Sequence, residues 1–241
     1  MQLNSEQTLI RDTARDFAQS VLAPQAADND LNARFPADAI RQMGELGFMG
    51  MLLPEELGGA AADNVSYALA LEEIAAGDGA CSTIMSVHNS VACSPILNYG
   101  SELQQKRWLP TMASGEVLGA FCLTEPDAGS DASALRSSAK LQNEVYCLNG
   151  AKQFITSGQS ADIAIVFART GEGKRGITAF LVPTDNPGYV VNRVEDKLGQ
   201  RASDTCQIAL DNCQVPAGDR LGEEGEGYRI AYPTLKVAGL A

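Results

Sequence analysis

Phe121-Cys122-Leu123-Thr124-Glu125-Pro126-Asp127-Ala128-Gly129-Ser130-Asp131 is the stretch on which the interpretation of this chain depends. It lies where the sequence changes from helical patterns to strand patterns. Its apolar start is typical of a strand, and its Pro, Gly, Ser and Asp are typical of a turn. Such a loop can present backbone N–H groups and the hydroxyls of Thr124 and Ser130 to one ligand. Composition alone favours an ordinary surface turn, so the order of the residues and the rest of the chain must decide.

The residues before this stretch follow the 3.6-residue period of amphipathic helices. Asn4 and Gln7 form a capping signature, and Gly100 ends a long apolar helix that starts at Ala80. Ser101 with Gln104 forms a second capping box. The expected helix starts are Asn4, Pro36, Asp63, Ala80 and Ser101.

From Val117 onward the apolar period shortens toward two, which predicts β-strands. Asn149-Gly150 separates two strand-like runs, residues 144–148 and 151–156, and therefore predicts a hairpin. Regularly spaced short strands predict a closed or sandwiched antiparallel β domain. The further expected strands are Ile163–Arg169, Ile177–Val182, Tyr189–Val194 and Thr205–Leu210.

Composition narrows the classes of function. The net charge of -12 argues against broad binding to nucleic-acid backbones, which favour a basic face. The first 21 residues resemble neither a signal peptide nor a transit sequence, and no apolar run is long enough to span a membrane, so a cytoplasmic location is expected. Six cysteines without a Cys-x-x-Cys pair and a single histidine predict no metal site.

Taken whole, residues 121–131 resemble the first signature of the acyl-CoA dehydrogenase family. Three further stretches resemble the same family in the same order. Gly44–Phe48 with Pro54–Gly59 resembles its amino-terminal helical domain, Lys152–Gly158 its second flavin-contacting strand, and Lys197–Thr205 a further motif of its middle domain.

The resemblance implies an α+β fold in three parts. Residues 1–116 would form an amino-terminal helical domain, and residues 117–224 a middle antiparallel β-barrel or sandwich. Residues 225–241 would begin a carboxy-terminal helical domain that is truncated. After Leu235 the stretch Lys236–Ala241 lacks the acidic and arginine residues of the family. No catalytic residue can therefore be named.

The resemblance also implies an FAD site and a place for the substrate thioester. Phe121, Leu123 and Phe154 would flank the flavin ring, Thr124 and Thr156 would meet its polar edge, and Ser130 would pass from flavin to the CoA thioester. The implied cofactor-binding residues are Phe121, Cys122, Leu123, Thr124, Gly129, Ser130, Phe154, Ile155 and Thr156, with Ser130 also binding substrate.

Four other polar residues have two possible roles each. Glu125 and Asp131 could act as paired carboxylates, but in the resemblance they brace the loop. Arg201 could approach the flavin or pantetheine, as could Ser203, or they could belong to a surface ion pair. His88 falls near the acyl end of the pocket in relatives, and a satisfied core or helix-surface histidine is the safer interpretation.

The function implied is FAD-dependent α,β-dehydrogenation of a short or branched acyl-CoA, in fatty acid or branched-chain amino acid catabolism. The family implies electron-transfer flavoprotein as the electron acceptor and a homotetramer, which the expected truncation puts in doubt. Two alternatives remain. One is an acyl-CoA oxidase or flavin monooxygenase relative on the same fold, and the other is a non-catalytic remnant or binding module.

Overall fold

The computed structural model describes the backbone of residues 2–238 and the side chains of residues 2–234. The side chains of Lys236–Ala241, on which the expected loss of the family pattern falls, lie outside the described part. Helices precede strands along the chain. The helices are α1 (Ser5–Phe17), α2 (Ala23–Leu31), α3 (Ala37–Glu45), α4 (Asn64–Gly77), α5 (Gly79–Val87), α6 (Ser94–Tyr99), α7 (Glu102–Ala113) and α8 (Gly227–Ala238). The strands are β1 (Gly119–Cys122), β2 (Ser138–Gln142), β3 (Val145–Thr156), β4 (Ile163–Arg169), β5 (Ile177–Pro183), β6 (Tyr189–Val194), β7 (Thr205–Pro216) and β8 (Arg220–Leu221).

Both predicted capping boxes are present. The Asn4 side chain accepts from the Gln7 backbone N–H at 2.8 Å, and the Gln7 side chain accepts from the Asn4 N–H at 3.2 Å. Ser101 and Gln104 form the same reciprocal pair at the start of α7. These bonds satisfy N–H groups that have no partner within the first turn of a helix, which fixes where the helices begin.

Two helical predictions need correction. The helix expected over residues 80–99 is divided into α5, a π-helical segment at His88–Cys93, and α6. Pro95 lacks an N–H and its ring crowds the carbonyl four residues earlier, so a wider turn ahead of it relieves that conflict. Helix α2 was not predicted. Its Pro24 lies in the first turn, where proline is tolerated.

The strands form one sheet in the order β6-β7-β3-β2-β4-β5-β8, with β1 beside β4. Strand β1 runs parallel to β4, β2 also meets β4 through one parallel pair, and the remaining neighbours are antiparallel. The described strands leave the sheet open. The predicted α+β class is confirmed. The β domain is a mixed open sheet, which is consistent with the sandwich that was expected as one alternative and not with the closed antiparallel barrel.

The predicted hairpin at Asn149-Gly150 is wrong. Strand β3 continues through both residues, with a shift of its register against β7 there, and the turn that joins β2 to β3 is Asn143-Glu144, where both φ angles are positive. Gly150 is needed for another reason. A Cβ on it would lie 2.3 Å from the Ser137 hydroxyl oxygen, so the glycine permits a close approach of two backbone segments.

Strand β4 lies at the centre of the fold, and both of its faces are therefore buried. Ala164, Val166 and Ala168 belong to the hydrophobic cluster that includes α1 and α4. Ile163, Ile165 and Phe167 belong to a second cluster, which includes residues of α7 and α8. A strand covered on both faces is typically an uninterrupted apolar run, as it is here. None of the helices described is both long and apolar enough to cross a membrane.

Candidate active site at the junction of strands β1 and β3

The first half of the 121–131 stretch is strand β1 and the residues that continue it. The Phe121 ring is half-buried and meets Phe167 edge-on, with ring centroids 4.9 Å apart. The neighbouring Cys122 is fully buried. Because successive side chains of a strand point to opposite faces, Cys122 can offer only backbone groups to a ligand on the Phe121 side.

The second half is a tight loop held by its own acidic residues. Glu125 and Ala128 exchange two backbone hydrogen bonds, of 3.0 and 3.1 Å. Asp131 accepts from the backbone N–H and the hydroxyl of Ser133, which caps a short 3-10 turn. These bonds leave Gly129 and Ser130 exposed at the outside of the loop.

Strand β3 carries a bulge opposite β7. Lys152 pairs with Ile208 and Ile155 with Cys206, so β3 holds one residue more than its partner over this interval. Phe154 lies in the bulge with φ of 58°, in the left-handed region that bulky side chains rarely adopt, and its side chain is 63% exposed. A strained backbone that turns a large aromatic ring outward is typical of a binding surface.

The two motif stretches meet although β1 and β3 are not paired in the sheet. The Gln153 N–H donates to the Thr124 carbonyl at 2.9 Å. The Lys152 ammonium donates to the Leu123 carbonyl at 3.3 Å and to the Glu125 carboxylate at 2.7 Å. The residues that the sequence places about thirty positions apart therefore form one local structure.

Glu125 is a structural residue here and not a free acid or base. Its carboxylate also accepts from the backbone N–H groups of Arg136, at 2.5 Å, and Ser137, at 3.0 Å. Burial by itself raises the pKa of Glu125, but the charge of Lys152 and these donors outweigh burial and leave the pKa below its usual value. The expectation that Glu125 braces the loop is confirmed, as is the same expectation for Asp131.

The predicted cofactor-binding residues fall into three groups by exposure. Phe154, Gly129 and Ser130 are exposed, and the side chains of Phe121, Thr124 and Thr156 are half-buried at the same junction. Cys122, Leu123 and Ile155 are buried, so only their backbone groups could reach a ligand. The roles of all nine residues remain predictions.

His88 is a satisfied core residue. It is fully buried, its Nε2 lies 3.0 Å from the Met112 carbonyl oxygen, and the Gly119 N–H donates to its Nδ1 at 3.1 Å. This geometry requires a neutral ring with its proton on Nε2. Burial accordingly lowers the pKa of His88 to about 4. The safer of the two interpretations of His88 is confirmed.

Arg201 takes part in an ion pair. Its guanidinium lies 3.4 Å from the Asp196 carboxylate, and its backbone N–H donates to Asp30 of α2 at 2.7 Å. Ser203 is fully buried, and its hydroxyl has no hydrogen-bond partner among the described residues. Within the described residues, no group of three or more His, Cys, Asp and Glu side chains is arranged to hold a metal ion.

Lys152 begins the predicted flavin-contacting stretch, but no role was predicted for its side chain. A signal was available, because the even-numbered residues Tyr146 and Leu148 of the same strand face the core. Continuing that alternation through Gly150 places the Lys152 side chain inside. A buried lysine requires a buried acceptor, and only the fold identifies Glu125 as that acceptor.

The junction suits a flat, largely apolar ring with a polar edge. Phe154 supplies an outward aromatic surface, Thr124 and Thr156 supply partly accessible hydroxyl and backbone groups, and no atom would lie within 4 Å of a Cβ placed on Gly129. A pocket for such a ring needs apolar walls and a few well-placed polar groups. The residues present therefore fit an isoalloxazine.

Comparisons with known proteins identify the family. Models of the acyl-CoA dehydrogenase N-terminal and middle domains match residues 4–116 and 120–213. An acyl-CoA dehydrogenase of Bacillus subtilis is 46% identical over 239 residues, which cover 98% of this chain and 63% of the relative.

Two solved structures resemble the chain closely. Butyryl-CoA dehydrogenase from Megasphaera elsdenii has a TM-score of 0.94 and 38% identity over 99% of this chain and 64% of its own. Glutaryl-CoA dehydrogenase from Mycobacterium smegmatis, in complex with FADH2, has a TM-score of 0.92 and 38% identity over 98% of this chain and 60% of its own. The chain thus spans less than two thirds of each of these proteins. It belongs to the acyl-CoA dehydrogenase family, of which it carries the amino-terminal and middle domains.

Proposed function

We propose that this chain forms the flavin-facing part of an FAD-dependent acyl-CoA dehydrogenase that acts on short or branched acyl-CoA thioesters. The observation that carries the proposal is the bulge at Phe154. It holds an aromatic side chain outward, in a strained backbone conformation, beside the Thr124 segment. The butyryl-CoA dehydrogenase among its structural relatives supports a short acyl chain.

Different residues of the site are proposed to contact different parts of the cofactor and the substrate. Phe154 and Phe121 supply aromatic walls, and the groups of Thr124 and Thr156 supply hydrogen bonds to the polar edge of the ring. Ser130, exposed at the outside of the loop, is proposed to meet the thioester. These residues would hold FAD, which would supply the hydride acceptor for dehydrogenation of the substrate. The family match, and the FADH2 held by one relative, support this assignment.

None of the described residues is assigned to proton abstraction. The Glu125 carboxylate accepts hydrogen bonds from Lys152 and from two backbone N–H groups, and the Asp131 carboxylate accepts one from the Ser133 N–H. We also propose domain boundaries at residues 116 and 224, a cytoplasmic location, electron-transfer flavoprotein as acceptor and a homotetrameric whole protein. The change from helices to strands between α7 and β1 supports the first boundary.

The proposal is tested by FAD binding to the purified chain, measured by the quenching of flavin fluorescence. Phe154→Ala is compared with Leu103→Ala, which removes another exposed apolar side chain, 81% accessible, from α7. Loss of the ring from a stacked contact is expected to weaken FAD binding about tenfold, and the control is expected to bind like wild type. Absence of binding at millimolar FAD, or equal binding by both variants, would refute the proposal for this chain.

An acyl-CoA oxidase relative is distinguished by its reaction with oxygen. The flavin-loaded protein is exposed to butyryl-CoA without air and then to air. Bleaching by butyryl-CoA followed by slow reoxidation supports a dehydrogenase, and rapid reoxidation supports an oxidase. If the chain binds FAD but butyryl-CoA does not bleach the flavin, the chain binds the cofactor without turning over the substrate. That outcome supports the non-catalytic alternative.

A further inference from the structure

The Lys152–Glu125 ion pair is among the most deeply buried polar contacts of the described structure. The Lys152 side chain is 0% exposed and the Glu125 side chain 6% exposed, and the charged atoms are 2.7 Å apart. Burial lowers the pKa of Lys152, and the Glu125 carboxylate opposes that shift. The other ion pairs of the described residues have at least one partner that is more accessible.

Stability alone is a weak reason for such a pair. Removing two charges from water costs several kcal/mol, and well-packed apolar residues of similar volume often stabilise a protein equally well. An ion pair differs from apolar packing because its hydrogen bonds require a particular geometry. An ammonium group that must meet particular oxygen atoms fixes the relative position of the segments that carry them, whereas apolar contacts tolerate sliding.

The pair connects segments that the sheet leaves unconnected. Glu125 follows β1, which pairs with β4 alone among the described strands, while Lys152 belongs to β3, whose neighbours are β2 and β7. Glu125 also accepts the N–H groups of Arg136 and Ser137, so the same carboxylate closes the whole loop 125–137. One side chain therefore anchors both ends of the loop to a single lysine.

The lysine lies at the edge of the β3 bulge. Lys152 is the last residue in register before the shift, and Phe154 follows two positions later in its left-handed conformation. A conformation of this kind is unfavourable for a residue with a large side chain and persists only where neighbouring contacts fix it. On one side of the bulge, those contacts are the Lys152 side chain and the Gln153–Thr124 backbone bond.

We propose that Lys152 and Glu125 are positioning residues, which set the Thr124 segment against the Phe154 bulge and so fix the shape of the ring-binding surface. Their effect on a cofactor rests on the proposed function, but their effect on the two segments does not. The pair acts through the backbone: Lys152 fixes where the bulge begins, and Glu125 fixes the loop that presents Gly129 and Ser130.

Hydrogen exchange, read by mass spectrometry on the full chain without cofactor, tests the proposal directly. Lys152→Met removes the charge and retains most of the volume, and Glu125→Gln retains an acceptor for the loop N–H groups. The control is Ile74→Ala, a cavity variant at a fully buried position of α4, away from both segments. The two pair variants are expected to exchange at least about tenfold faster in residues 123–137 and 152–157, with the rest of the sheet unchanged.

The opposite result is equally clear. If these two segments exchange no faster in the pair variants than in Ile74→Ala at matched stability, the pair is an ordinary core contact and the proposal is overturned. If Lys152→Met does not fold, Glu125→Gln decides alone, because a folded Glu125→Gln variant with wild-type exchange would also overturn it.

A second measurement separates this inference from the proposed function. If the wild-type chain binds FAD, the pair variants are expected to bind it about tenfold more weakly and to change the visible circular dichroism of the flavin, whereas Ile74→Ala keeps the wild-type affinity and dichroism. Unaltered affinity and dichroism in both pair variants would refute positioning. If the wild type binds no FAD, the proposed function fails, and the exchange experiment still decides the role of the pair.

Discussion

The buried neutral His88 predicts a specific loss of stability in mild acid. The chain has one histidine, so no other imidazole contributes. In the folded protein the pKa of His88 is lowered to about 4 by burial, while in the unfolded chain it returns to its ordinary value near 6.5. The unfolded state therefore binds more protons between these values, and the free energy of unfolding falls as the pH falls through 6.5 toward 4.

The magnitude follows from the two pKa values. One unit of difference corresponds to 1.36 kcal/mol, so the free energy of unfolding has fallen by about 2 kcal/mol at pH 5 and by about 3 kcal/mol at pH 4. His88→Gln has a side chain that remains neutral throughout. Because the carboxylates are the same in both proteins, subtracting the two pH profiles isolates the histidine.

The assay is urea unfolding followed by the fluorescence of Trp108, the single tryptophan, which lies on α7 as does the Met112 carbonyl that His88 contacts. Wild type should lose about 2 kcal/mol more than His88→Gln between pH 7 and pH 5. If the pH profiles of wild type and His88→Gln stay parallel within about 0.5 kcal/mol, the interpretation of His88 as a buried neutral histidine is refuted. The same holds if wild type gains stability relative to His88→Gln in acid.

Three further predictions concern single residues. Asp78 accepts from two N–H groups at the start of α5, so Asp78→Ala should lower the free energy of unfolding by about 1 kcal/mol in urea. Cys147 is the one cysteine of the six that is not buried, so one thiol should react rapidly with a disulfide reagent in the native protein, and none in Cys147→Ser. Gly150→Ala should lower the free energy of unfolding in urea by about 2 kcal/mol or more, because the new Cβ would collide with Ser137. Gly129→Ala is the control: a Cβ there would meet no other segment within 4 Å, so the free energy of unfolding should equal that of wild type.

The sequence by itself determined the features that depend on neighbours along the chain. The capping boxes at Asn4 and Ser101 need only residues three positions apart, and both were predicted correctly. The change from a 3.6-residue to a two-residue period marked the passage from helices to strands near residue 117. The order of the motifs indicated the family, since the comparisons match the same domains in the same order.

Tertiary structure decided whatever depends on partners distant in sequence. Asn149-Gly150 favours a turn locally, but pairing along β3 with β2 and β7 and the close approach of Ser137 keep it extended. Lys152 and Glu125 were both visible in the sequence, yet only the contact between β3 and the segment after β1 showed that one neutralises the other. Hydrogen bonds between residues a few positions apart leave a pattern in the sequence. The partner of a buried charge is distant in the sequence, so it is known only once the positions of the strands are known.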